Sequence, residues 1–159
     1  MTIEILCVGK LKEAYLREAV REYEKRLSRY AKILITEVPD ERAPEKASEA
    51  EEEEIRKREA ERILKALKTD SYVITLEIDG EAPDSEAFAA KIEQLGINGT
   101  SYLTFIIGGS LGLHKSVLSN AREHLSFSRL TFPHQLMRVI LLEQIYRAFR
   151  IIRHEPYHK

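Results

Sequence analysis

At 159 residues the chain is long enough for one complete hydrophobic core and too short for two ordinary domains, so residues 1–159 read as a single unit. Apolar residues make up 43% and charged residues 32%, with seven glycines and five prolines, which excludes a disordered or fibrous protein and leaves the soluble globular class. The net charge of −1 divides unevenly: residues 1–113 carry 17 Lys and Arg against 23 Asp and Glu, whereas residues 114–159 carry 8 against 3 and hold all five histidines. A uniformly basic nucleic-acid coat is thereby excluded, and a local anion-facing surface towards the C-terminus is allowed.

TIEILCVG reads as a strand, and LKEAYLREAVREYEKRLSRY changes to helical period, with Leu16, Ala19, Tyr23, Leu27 and Tyr30 three or four apart. Neither the N-terminal segment nor any other suggests a secretory signal or a membrane span, so the cytoplasm is the expected compartment and no membrane partner is expected. Cys7 has no second cysteine to bridge and reads as a small core residue. KILITEVP is a second strand ended by Pro39, and DERAPEKA a loop. The next helix starts at Ser48, whose spacing to Glu51 is that of a capping box. Glu52, Glu53, Glu54 and Glu61 each precede a Lys or Arg by four residues, the pattern of a solvated helix face.

YVITLEIDG is a third strand closed by an Asp-Gly turn, and Pro83-Asp84 opens a helix ending near Gly96. YLTFIIGG is a fourth, nearly all-apolar strand. Residues 114–122 suggest a short helix, HLSFS a fifth strand, and PHQLMRVILLEQIYRAFRII a long last helix with Pro133 in its first turn. Strands separated by helices and lacking polar alternation predict an α/β fold, a mostly parallel sheet covered by helices on both faces. The last helix carries two apolar rows: Met137, Leu141, Ile145, Phe149 and Ile152, and beside them Val139, Leu142 and Tyr146. That width fits burial against a second protomer and, equally, deep burial in the chain's own core.

The stretch FIIGGSLGLHKS, residues 105–116, carries the first candidate site. In an open parallel sheet, ligands lie beyond the carboxyl ends of strands, where backbone must approach closely, and Gly108 and Gly109 meet that need. A tight turn would use the same residues. Read as a phosphate loop, GSLGLHKS has His114 where the second glycine belongs, and a side chain there obstructs the phosphate cradle. A small nucleotide hydrolase is kept as a rival. No dinucleotide fingerprint follows the first strand, and no metal-ligand cluster appears. A second loop, SFSRLTFPHQ, offers hydroxyls and backbone amides among apolar side chains, which suits a flat heterocycle with a polar edge.

Taken together, VITLEI, FIIGGSLGL, LSFSRLTFPHQLMRVILLEQIYRAFRI and the ending PYHK resemble the ribosomal RNA large-subunit methyltransferase H family of the SPOUT, α/β-knotted, methyltransferases. The likeness spans the whole chain, including VGKLKE near its start. It implies an S-adenosylmethionine pocket of Leu76, Gly108, Phe127, Ser128, Arg129, Leu130, Thr131 and Phe132, and a trefoil knot in the C-terminal half, about residues 70–159. Periodicity alone would have steered away from a knot, because chains rarely thread loops. It also implies a homodimer that methylates N3 of a pseudouridine in the helix 69 loop of 23S rRNA on the 70S ribosome. A non-catalytic ribosome-associated dimer is the remaining alternative.

Methyl transfer to that nitrogen needs the N3 proton to leave, and the tail RHEPYHK offers Arg153, His154, Tyr157 and His158. The family's Tyr-His-basic ending points to Tyr157 and His158 as the groups that orient the base and assist proton removal, with Arg153 on a phosphate or the imide oxygen. His154 is the least constrained of the four. A frayed terminus is the plain alternative. Arg147 and Arg150 recur with Arg153 at intervals of three, which fits RNA contact and equally the macrodipole preference for cations near a helix C-terminus. His134, beside the expected pocket at a helix start, is a candidate neutral hydrogen-bonding group or an N-terminal structural contact.

Overall fold

The computed structural model describes residues 1–159. In chain order its elements are β1 (Thr2–Val8), α1 (Ala14–Leu27), β2 (Lys32–Val38), α2 (Glu49–Ala66), β3 (Tyr72–Glu81), α3 (Ser85–Ile97), β4 (Tyr102–Ile107), α4 (Lys115–Leu118), β5 (Glu123–Leu125) and α5 (His134–Ile152). The strands form one sheet of order β2-β1-β4-β3-β5, with every pair parallel, as the apolar runs predict.

Because successive strand residues face opposite ways, β1 and β4 feed two cores at once. Ile3, Ile5 and Cys7 with Leu103, Phe105 and Ile107 meet α1, α3 and α5, while Leu6, Val8 and Ile106 meet Ala60 and Ile63 of α2 and Val117 of α4. Each fully buried aliphatic side chain contributes about 1.5–3 kcal/mol, so the double-sided burial explains why polar alternation is missing from these strands. Leu141, Leu142, Ile145 and Ala148 of α5 are fully buried. The sheet, α1 and α3 therefore account for much of the apolar width of this helix, and Met137, Val139, Tyr146, Phe149 and Ile152 stay half-buried.

The helix starts follow from their caps. Ser48 accepts from the Glu51 N–H at 3.2 Å and its own N–H donates to Glu51 Oε2 at 2.7 Å, the reciprocal box the spacing predicts. Asp84 Oδ1 accepts from the Ala87 N–H at 2.7 Å and starts α3. Of the four ion pairs expected on α2, those of Glu52 with Arg56 and Glu54 with Arg58 form, while Glu53 turns to Arg56 and to His114.

Three expectations need correction. Residues 114–122 form only the single turn of α4, and β5 ends at Leu125 rather than continuing through Ser128. The Asp79-Gly80 pair does not close β3. The strand leaves the ladder after Leu76 and rejoins it at Glu81, both of which pair with Leu125. At the return point a Cβ on Gly80 would lie 2.7 Å from the backbone of His124 and Leu125, so glycine is there for close approach rather than for a turn.

Candidate functional site

The carboxyl ends of β3, β4 and β5 enclose a cavity of about 860 Å³. The β3 detour supplies its rim through Glu77, Ile78 and Asp79, the β4–α4 loop supplies Gly108 to Leu113, and the β5–α5 loop supplies Ser126 to Pro133 apart from Arg129. The last loop is shaped by its own hydroxyls: Ser126 Oγ donates to the Ser128 carbonyl at 3.0 Å, and Ser128 Oγ accepts from the Leu130 N–H at 2.9 Å.

Seven of the eight residues expected to hold a cofactor, Leu76, Gly108, Phe127, Ser128, Leu130, Thr131 and Phe132, line this one cavity. Arg129 is exposed and lies outside the lining. Leu130 is 73% exposed, a large apolar side chain left open at the cavity. The bareness of Gly108 has a cause within the chain: a Cβ there would lie 3.0 Å from the Gly112 carbonyl carbon and from Leu113 Cδ2. The glycines thus let the loop fold on itself and so bring its backbone to the cavity.

The same loop does not make a phosphate cradle. His114 Nδ1 accepts from the Ser116 N–H at 3.1 Å, taking the donor that a phosphate would need, and α4 is one turn long.

Two buried charges beneath the cavity carry no sequence signal. Glu59 of α2 is 5% exposed, accepts from the Glu41 N–H at 3.0 Å, and has a carboxyl pushed up by burial. Its oxygens lie 3.3 Å from where a Cβ on Gly109 would stand. Arg138 of α5 is 1% exposed; Nη1 donates to Glu37 at 2.6 Å and Nη2 to the Gly9 carbonyl at 2.7 Å, with Nε left without a partner. One turn earlier, His134 lines the cavity, and its imidazole is pushed down by burial and by Arg138, against an opposing pull from Asp40. It is therefore held towards the neutral form that its place at the helix start suggested.

The tail is not frayed. It folds back along α5, where Arg150 binds Glu155 and donates to the Pro156 carbonyl at 2.8 Å, and Tyr30, in the turn after α1, donates to Glu155. Tyr157 donates to Glu143 Oε1 at 3.0 Å, meets Tyr146 edge-on at 4.9 Å, and lies under the Arg147 guanidinium at 4.7 Å. His158 Nδ1 is 3.3 Å from Arg147 Nη1. Burial first, then the Glu143 bond, pushes the Tyr157 phenol up to about 12. Tyr157 and Arg147 therefore converge on Glu143, a residue the sequence offered no reason to single out, and His158 joins them through Arg147. Arg147 and Arg150, expected on RNA, are both engaged within the chain, and Arg153 is exposed with its guanidinium 5.8 Å from the Tyr30 ring centroid. His154 is exposed and takes φ of 54°, so its backbone ends α5.

Cavity and tail nearly meet. A smaller cavity of about 440 Å³ is lined by His158, Gln144, Ser85, Phe88 and Phe127, and Phe127 also lines the large one. One aromatic ring thus borders both.

The chain is similar to proteins of known family over its full length. It is 58% identical to a Ribosomal RNA large subunit methyltransferase H of Bifidobacterium animalis, 57% to that of Listeria monocytogenes and 56% to that of Enterococcus faecalis, each across 100% of both chains. Among solved structures, a probable methylase family protein from Haemophilus influenzae shares the fold, with a TM-score of 0.53 at 14% identity over 99% of this chain and 70% of that one. The family model described as "Predicted SPOUT methyltransferase" matches residues 1–158, and the chain belongs to the SPOUT methyltransferase family.

Proposed function

We propose that residues 1–159 act as one S-adenosylmethionine-dependent methyltransferase unit that modifies large-subunit rRNA. Its target is N3 of a pseudouridine in the helix 69 loop of 23S rRNA on the 70S ribosome. In this reading the protein works in the cytoplasm as a homodimer, and its C-terminal half carries the family's trefoil knot. The observation that carries the reading is the convergence of Leu76, Gly108 and the 127–132 loop on one cavity in a chain of this family.

The residues present fit the cofactor. Leu76, Ile107, Leu125, Phe127 and Phe132 give an apolar wall suited to adenine, and Glu77 and Asp79 on the rim suit a molecule bearing ammonium and sulfonium charges. When bound, the cofactor supplies an electrophilic methyl group. The chain's own part is to exclude water, to orient the base and to receive its N3 proton. Tyr157, held protonated, serves as a hydrogen-bonding and positioning group rather than as a base near neutral pH. That assigns proton acceptance to the imidazole of His158, with Arg147 and Arg153 facing the developing negative charge. The half-buried surfaces of Val139, Tyr146, Phe149 and Ile152 support pairing of two copies along α5.

The test is incubation with labelled S-adenosylmethionine and either 70S ribosomes or isolated 50S subunits lacking the modification, followed by mapping of the label. Label at N3 of the helix 69 pseudouridine is the expected result, and label at any other nucleotide overturns the assigned target. Binding of ATP and Mg²⁺ without S-adenosylmethionine would instead favour the hydrolase, and cofactor binding without transfer the non-catalytic dimer.

A further inference from the structure

The loop between β1 and α1, residues 9–13, is held in place more firmly than a surface connection requires. It leaves the sheet at Gly9, which has φ of 88°. Arg138, 1% exposed, donates to the Gly9 carbonyl at 2.7 Å and to the Val8 carbonyl at 3.4 Å. Glu37, which Arg138 also binds, accepts from the Leu11 N–H at 2.8 Å. From the solvent side Arg17 donates to the Leu11 carbonyl at 3.3 Å and to that of Lys12. A buried guanidinium is costly to desolvate, and here most of its bonding goes to the shape of this one loop.

The loop lies against a residue of the cavity lining. A Cβ on Gly9 would lie 3.9 Å from Nε2 of His134, which lines that cavity, and Gln135 reaches the Lys10 carbonyl at 3.5 Å. Of the charged side chains the loop offers to solvent, Lys10 and Lys12 form no ion pair and outnumber the single carboxylate, Glu13 at the start of α1. Arg147 and Arg150, at the far end of α5, are by contrast bound to Glu143 and Glu155. Fixed backbone, free ammonium groups and a position beside the cavity lining are the elements of a phosphate-docking surface, because phosphate contacts set the register of a nucleic acid without reading its bases.

We propose that the 9–13 loop is an RNA-docking wall of the methyl-transfer site, with Lys10 and Lys12 contacting backbone phosphates and with Arg138 and Glu37 as positioning residues beneath them. The proposal rests on the reading of the cavity as the cofactor site of an rRNA methyltransferase. It adds phosphate contacts beside His134, at the start of α5, to the base-handling groups of the tail at its other end.

The test compares the wild-type chain with Lys10→Glu/Lys12→Glu and with Lys57→Glu/Lys65→Glu, which makes the same change in net charge at exposed positions of α2. S-adenosylmethionine affinity is measured by calorimetry, and methylation of 70S ribosomes is followed against ribosome concentration and salt. The loop variant should keep cofactor affinity, raise KM for ribosomes about tenfold, and flatten the log–log salt dependence by roughly 1.5, about 0.7–0.9 for each phosphate no longer neutralised. The α2 variant should match the wild type, and Lys10→Arg/Lys12→Arg should restore KM. Normal cofactor affinity with unchanged KM and salt slope overturns the docking role alone, as does a fall in kcat at constant KM. A wild-type chain that binds no S-adenosylmethionine overturns the cofactor reading itself.

Discussion

The two ends of α5, about 28 Å apart at 1.5 Å per residue, solve opposite problems. Around His134 and Met137, loops of little regular structure surround an open cavity, apolar side chains such as Leu130 face solvent, and the buried charges sit behind the wall. Around Arg147 and Arg150, polar groups answer one another: Glu143 serves Arg147 and Tyr157, and Glu155 serves Arg150, Arg29 and Tyr30. Apolar surface left uncovered next to bare backbone is surface kept for a molecule other than the chain. A self-satisfied polar network instead fixes the position of the few groups at its edge, here Tyr157 and His158.

Phe127 separates these regimes, so its removal should have the largest effect. Phe127→Ala opens the large cavity into the small one and deletes the edge-on contact with Phe88 at 6.3 Å. We expect a stability loss of about 2 kcal/mol, below the range for a fully buried ring because this one is half-buried, seen in denaturant titration together with weakened S-adenosylmethionine binding. Unchanged cofactor affinity would mean that the two cavities do not depend on their common wall.

Tyr157→Phe sharpens the contrast from the other side. It removes one hydrogen bond, for about 1 kcal/mol of stability, and should leave cofactor affinity intact while methylation of ribosomes falls at least tenfold. Full methylation by this variant would remove the hydroxyl from the mechanism.

The smallest effect concerns His134. Its folded-state pKa lies below the ordinary imidazole value of about 6.5, so the unfolded chain binds more protons and stability falls as pH drops through that value. Melting curves between pH 7 and pH 5 should show a shallower loss for His134→Asn than for the wild type. Parallel curves would show that the imidazole is not held neutral at the cavity.

Much of the scaffold is legible in the sequence because its causes are local. Ser48 with Glu51, Asp84 before α3, and the mostly apolar residues of β1 and β4 each declare their element within a few positions. The detour of β3 is not local: Asp79-Gly80 has turn chemistry, and only pairing with Leu125 decides that the strand resumes. Arg138 and Glu59 escape notice for a related reason, since a charge among helix residues reads as solvent-facing until a distant partner such as Glu37 or the Glu41 N–H is known. In the site, the resemblance names the 127–132 run as a block, whereas the folded loop turns Arg129 out of the lining. The role of Glu143 follows only from the tail doubling back, which no periodicity in α5 encodes.

The excursion of β3 between Leu76 and Glu81 has a consequence for how such a pocket changes over time. Hydrogen bonding to β5 is secured on either side of the excursion, by Leu76 and by Glu81 with Ser126. Residues 77–79 can therefore be exchanged, or their number altered, without shifting the register of the surrounding sheet. Diversification of ligand preference in this architecture should concentrate there, in a short span that alters the cavity mouth while leaving the foundations untouched.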